Sequence, residues 1–233
     1  EITMVESSKI TELKLKKGGV SESISVIRNR LLPLYNDFLS KDWTASYLLK
    51  FCIPLSYHLP TEEVELYCKQ PYFLTKPILG ESNFWTDYTL TQLIWWYGLN
   101  PVITEEKKYV ERLESVVVNN LNYFKINQLE SLTFYFINRN NLIKANYYLD
   151  MLDVTIKNYA GDMYVVHIDR AKTFRAEVKL LEGHRKQAIK LLKEVSNNIC
   201  KYQPKNYLRM HLNQVAKKAG ITDTCSPDFL SIY

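Results

Sequence analysis

Apolar spacing is helical almost everywhere from Val26 onward, with residues recurring at intervals of three and four and breaks at short distances, the period that keeps side chains on one face of an α-helix. The first stripe, Ile24, Ile27, Leu31, Leu34 and Phe38, lies in a segment over Ile24–Leu39 with Pro33 as a kink. A second helix is predicted over Thr44–Leu59, stopped by Pro60. Thr61 then reads as an N-cap, with Glu62 and Glu63 at the positive end of a helix running to about Leu74, because a threonine oxygen accepts from the first unpaired amides and acidic side chains suit the dipole. Pro77 and Gly80 close this pair.

Phe84–Leu99 is apolar on most sides and ends at Asn100-Pro101, and Thr104 caps a helix through Val118. The stretch Asn119–Asn127 either continues that helix or turns into the next. After it, Leu129, Leu132, Thr133 and Phe136 make one apolar face and Phe134 and Ile137 a second. A helix with two apolar faces has neighbours on two sides. Beyond the turn Asn138–Asn141, Leu142, Ala145, Leu149 and Leu152 give one stripe, while Asn146, Asp150, Asp153 and Lys157 read as facing water. An inner helix covered twice and an outer helix covered once is the arrangement of an α-solenoid.

The unit recurs. In Phe174–Val195 a polar turn, Glu182–His184, is followed by Ala188, Leu192 and Val195, which match Ala145, Leu149 and Leu152 at a constant offset of 43. Twelve residues before each alanine stand Thr133 and Ala176, both small, as close packing inside a helical hairpin requires. The fold expected is all-α, a right-handed α-solenoid of TPR-like helical hairpins whose repeat is longer than the standard 34 residues.

Composition supports helices: seven Gly and eight Pro are too few for the many turns of an all-β chain. Seventeen Tyr and four Trp suit helix interfaces and ligand grooves equally. The net charge of +5 is uneven, since Arg170–Gly220 holds 13 Lys and Arg against three Glu. That excess reads as a solvated basic face, or else as a surface for an anionic partner. Cys52, Cys68, Cys200 and Cys225 form no CxxC pair and read as reduced thiols. The chain begins at Glu1 and shows neither a signal-peptide pattern nor an apolar run of the ~18 residues a membrane span needs. It reads as a piece of a longer cytoplasmic protein. Residues 1–21, with the basic run Lys14–Gly19, read as a linker from something upstream, and 22–233 as the domain itself.

No chemistry for catalysis is visible. His58, His167, His184 and His211 share no metal-ligand spacing, and no metalloprotease, nucleophile-elbow, dinucleotide or P-loop motif is present; no enzyme activity, metal or cofactor is expected. His167, beside Asp169 and Arg170, is either a packed residue or a groove contact. A polar stripe does emerge: Gln128, Ser131, Tyr135 and Asn138 fall at intervals of 3, 4 and 3 on the inner helix, and Tyr88, Gln92 and Trp95 repeat the pattern upstream. Such a stripe is an exposed helix edge or the lining of a concave groove.

The run FWTDYTL (Phe84–Leu90), preceded by Pro60–Leu74, resembles the W-G-x-Y-E-L signature and preceding helix of the Rgg/GadR/MutR-type (PrgX-like) transcriptional regulators of Gram-positive bacteria. Trp85, Tyr88 and Leu90 match, whereas Thr86 and Thr89 stand where Gly and Glu are usual. The turn in Ile137–Leu152 is also similar, and the resemblance covers roughly Ser21–Tyr233 in loose patterns. It implies an intracellular receptor for a short linear peptide, a homodimer with no membrane segment, acting on DNA through an N-terminal helix-turn-helix domain that precedes this chain. The residues expected to contact peptide are Tyr88, Gln92, Trp95, Gln128, Tyr135, Asn138, His167 and Arg170, with Arg170 for a carboxylate terminus. The alternative is a TPR-like protein-protein interaction scaffold with neither peptide ligand nor DNA-linked output. The dimer surface is expected in the last helices, from about Gln203.

Overall fold

A computed structural model describes residues 52, 56, 61–100, 106–120, 124–159, 165–202, 208–226 and 230. The linker reading of 1–21, the helices expected over Ile24–Leu39 and Thr44–Leu59, and the Thr104 cap lie outside these residues. What is described is all-α, with no strand. Nine helices have bounds within it: α1 Thr61–Cys68, α2 Gln70–Leu79, α3 Phe84–Leu99, α4 Lys107–Asn119, α5 Lys125–Asn138, α6 Leu142–Asn158, α7 Val165–Leu181, α8 Arg185–Tyr202 and α9 Leu208–Lys218. The chain forms two compact units, Glu1–Tyr109 and Val110–Tyr233.

In the first unit the helix expected from Thr61 to Leu74 is two helices. α1 stops at Cys68, and α2 restarts with Pro71 in its first turn and continues past Pro77 to Leu79. Proline is accepted at a helix start, where its missing N–H has no partner to lose. α3 spans the expected residues, with Asn83 Oδ1 accepting from the Trp85 amide at 2.9 Å as its N-cap. It packs on both α1 and α2, and Thr89–Gly98 are buried on every side, as its apolar perimeter requires. Thr75 and Thr89 hydroxyls meet 2.9 Å apart where α2 crosses α3.

In the second unit, α5 packs on α6, α6 on α7, α7 on α8, and α9 closes against α7 and α8. The matched positions are core residues: Ala145, Leu149, Leu152, Ala188, Leu192 and Val195, together with Thr133 and Ala176, are fully buried. Each buried leucine contributes about 1.5 to 3 kcal/mol. The hairpin turns are equivalent as well. α5 ends with Asn140 at φ +53° and the Asn141 amide donating to Phe136 O, while α7 ends with Gly183 at φ +81° and the His184 amide donating to Lys179 O. Both are left-handed caps that satisfy carbonyls a helix end leaves open, and Asn140 and Gly183 are again 43 residues apart. Asn141 also caps α6, its Oδ1 accepting from the Lys144 amide at 3.2 Å.

Two further expectations are corrected. Asp150 and Asp153 do not simply face water: Arg175 of α7 donates to both, at 2.9 and 2.7 Å, and Asn146 donates to Glu182 at 2.9 Å. The polar side of α6 is thus a second seam to α7. Nor are the cysteines reduced thiols. Cys52 is bonded to Cys68 and Cys200 to Cys225, leaving none free. Sequence separations of 16 and 25 carry no pairing signal; it is folding that brings the Cα atoms to 4.9 and 5.7 Å, within bridging range.

Candidate functional site

The densest chemistry in the second unit begins at one carboxylate inside an apolar helix. Glu130 sits in the middle of α5, fully buried. α7 answers it with two residues one turn apart: His167 Nδ1 lies 2.7 Å from Glu130 Oε1, and Arg170 Nη1 donates to Oε2. Arg170 is itself 2% exposed. Burial pushes the Glu130 carboxyl up, but Arg170 and His167 outweigh it and hold the carboxyl below its ordinary range. An ionised carboxylate only accepts, so the proton of this contact sits on Nδ1 of His167.

Two further buried carboxylates continue along α7. Asp169 accepts from Asn198 of α8 at 3.1 Å; burial pushes its carboxyl up against the opposing pull of Asn198 and Lys172. Glu177 faces α9, where Lys218 Nζ lies 2.5 Å and His211 Nε2 3.5 Å away. Burial raises this carboxyl too, and His211 and Lys218 prevail to lower it. α7 is therefore tied by charge to α5 and α9, and by a hydrogen bond to α8.

The expected peptide-contact residues divide between the two units. In the first, Trp95 is fully buried and donates from Nε1 to Ser56 Oγ at 3.1 Å. Gln92 is buried, with no hydrogen-bond partner for its Oε1 among the described residues, and Tyr88 is half-buried with its ring against Trp85. In the second, Gln128, Tyr135 and Asn138 do share one side of α5, joined there by Ser131. Three of the four are buried; Asn138 is exposed and bonds back to Phe134 O of its own helix. His167 and Arg170 come together, but on Glu130.

The α5 stripe has unspent hydrogen-bonding capacity, as do Gln92 in the first unit and Thr133 on the core face of α5 itself. Gln128 Oε1 accepts from Asn120 at 2.8 Å, yet Gln128 Nε2 and Ser131 Oγ have no hydrogen-bond partner among the described residues. Helical serines and threonines normally satisfy themselves on the carbonyl four residues back, as Thr91, Thr155, Thr173 and Ser196 do here. Ser131 does not. Among the described residues no His/Cys/Asp/Glu cluster could hold a metal ion, and no helix is long and apolar enough to cross a membrane.

Sequence reasoning missed Glu130, although a signal was there: a lone carboxylate in LESLTFYFI, apolar on both sides, has to find a cation. Set against known proteins, the chain matches no family model, no curated protein and no solved structure.

Proposed function

We propose that this chain is the regulatory domain of a transcriptional regulator, a homodimer that binds a short signalling peptide on its inner-helix face and so controls an attached DNA-binding domain. In this reading the α5–α6 and α7–α8 hairpins are TPR-like repeats of a right-handed solenoid. Their constant 43-residue offset in core residues and turn supports that arrangement.

The observation that carries the reading is the buried stripe of α5, where Gln128 Nε2 and Ser131 Oγ are removed from water without a partner among the described residues. A buried polar group left unpaired costs about 1 to 3 kcal/mol, so groups kept in that state fit a ligand with peptide-like donors and acceptors. Gln128, Tyr135 and Asn138 would meet the peptide; Arg170 and His167, held by Glu130, would shape the groove wall and fix its charge. The earlier role of Arg170 as a clamp for a free carboxylate fits less well, since Glu130 already occupies its guanidinium.

Titration calorimetry with synthetic peptides from short open reading frames of the source genome tests the proposal. Gln128→Leu with Ser131→Ala is expected to weaken binding by about tenfold or more, two net hydrogen bonds at ~1 kcal/mol each. Unchanged affinity removes the stripe from the site.

A scaffold without peptide ligand is favoured by one feature. Ile143, Tyr147 and Val154 are 86%, 55% and 58% exposed along the side of α6 opposite its core face. An apolar stripe of that kind suits a protein partner.

A further inference from the structure

The two disulfides differ in what can reach them. Cys52 and Cys68 are fully buried, whereas Cys200 and Cys225 are half-buried. Exchange begins with a thiolate attacking a disulfide sulfur, so access decides which bridge reacts.

The position of the second bridge gives that reaction a consequence. α9 lies along α8 by burying Leu212, Val215, Ala216 and Ala219 against Leu192, Val195 and Ile199. Its C-terminal end meets the start of α8, because Arg185 donates to Ala219 O at 2.7 Å. Gly220, at φ +77°, then reverses the chain, and the Ile221 amide donates to Ala216 O. The following residues run back along α9: Thr224 is buried and donates to Asn213 at 2.6 Å, and Cys225 reaches Cys200 near the far end of α8. Residues 221–226 are therefore a strap over α9, pinned at one end by Gly220 and at the other by the bridge. Residues 200–225 form a covalent ring that contains all of α9.

We infer that Cys200–Cys225 is a thiol-disulfide exchange site that locks and releases the C-terminal strap and helix α9. The reactant is a dithiol. Its thiolate attacks one sulfur of the bridge, forming a mixed disulfide and expelling the other cysteine as thiolate. The second thiol of the reagent then closes its own disulfide and frees the first cysteine. The bridge gains two electrons and two protons, and the dithiol is oxidised by the same count. In the reduced form the apolar face of α9 still favours the docked state, so the protein stays folded, but without the ring α9 and the strap open more often. The inference does not depend on the peptide reading.

Dithiothreitol applied to the full chain under native conditions, followed by alkylation and peptide mapping, is expected to label Cys200 and Cys225 well before Cys52 and Cys68. Hydrogen exchange on the same samples should then rise within 208–226, on the order of 100-fold for a ring of this size, with 61–100 unchanged. Cys200→Ser with Cys225→Ser should show the raised exchange without reductant and no further response to it. Cys52→Ser with Cys68→Ser, if it folds, should keep the response. Labelling of all four cysteines together only on global unfolding overturns the inference, as does exchange in 208–226 that is the same before and after reduction, or thiols at Cys200 and Cys225 in protein purified without reductant.

Discussion

The hairpins α5–α6 and α7–α8 share one apolar framework and differ in almost every polar position. Ala145 and Ala188, Leu149 and Leu192, Leu152 and Val195 occupy equivalent buried places, and Asn140 and Gly183 make equivalent left-handed turns. Yet α5 holds a single carboxylate and a stripe of uncharged polar residues, while α7 carries His167, Asp169, Arg170 and Glu177. The framework sets how helices stack. The polar residues decide which surfaces are sealed by charge and which keep hydrogen bonds to spare.

The sharpest way to break this comparison is where the polar sets meet at Glu130. Glu130→Leu removes the buried carboxylate that Arg170 and His167 share, and is expected to cost about 3 to 5 kcal/mol in urea unfolding. The double variant Glu130→Leu with Arg170→Met should recover most of that loss, because apolar residues of similar volume pack where the pair stood. A double variant as unstable as the single would mean that the pair does more than neutralise itself.

The framework is tested next by Leu149→Ala and Leu192→Ala. Each empties a fully buried site and should cost about 2 to 5 kcal/mol. Equivalent places predict costs within about 1 kcal/mol of one another. A much smaller effect at Leu192 would show that α9, packed on the same cluster, collapses into the gap.

Acid separates the carboxylates by sign. Glu130 and Glu177 are held below the ordinary glutamate value of 4.5 by their cationic neighbours, against burial. Each therefore contributes stability that is present above that value and is lost as pH falls through the lower folded one. Asp169, raised by burial above its ordinary 3.8, runs the other way and disfavours the fold as pH rises through that range. Unfolding midpoints measured from pH 7 downward should therefore drop below about pH 4.5, and Glu177→Gln should flatten the drop. An unchanged profile would remove Glu177 from the account.

These contrasts also show what the sequence could and could not convey. The α5–α6 and α7–α8 hairpins were legible because apolar period and turn residues are local, and burial of a repeated Ala and Leu at constant offset follows from them. The break at Lys69 was not legible: Pro71 at a helix start and Pro77 within the following helix look alike in a string of letters. Pairing across distance was lost altogether. His167 and Arg170 stood out singly, but Glu130, 37 and 40 residues away, became their partner only when α5 met α7. The disulfides were hidden for the same reason.

Two smaller effects refine the comparison. Gly183 adopts φ +81° with open space where a Cβ would go, so Gly183→Ala should cost about 1 kcal/mol through backbone conformation alone. Gly183→Asn should cost less, since Asn140 makes the same turn with φ +53° and asparagine tolerates that region. Equal costs in thermal unfolding would break the equivalence of the two turns.

The smallest effect bears most directly on function, and it sets Ser131 of α5 against Ser196 of α8. Both are fully buried, but Ser196 Oγ donates to Leu192 O at 2.8 Å while Ser131 Oγ has no partner among the described residues. Ser196→Ala should therefore cost about 0.5 to 1.5 kcal/mol, the net worth of one hydrogen bond. Ser131→Ala removes only an unpaid desolvation and should leave stability unchanged or raise it by up to about 1 kcal/mol. A position where the natural residue is worse for the free fold than alanine is one where polarity is kept for something else. If Ser131→Ala destabilises as much as Ser196→Ala, the hydroxyl is already satisfied within the fold, and the α5 stripe loses its claim to a ligand.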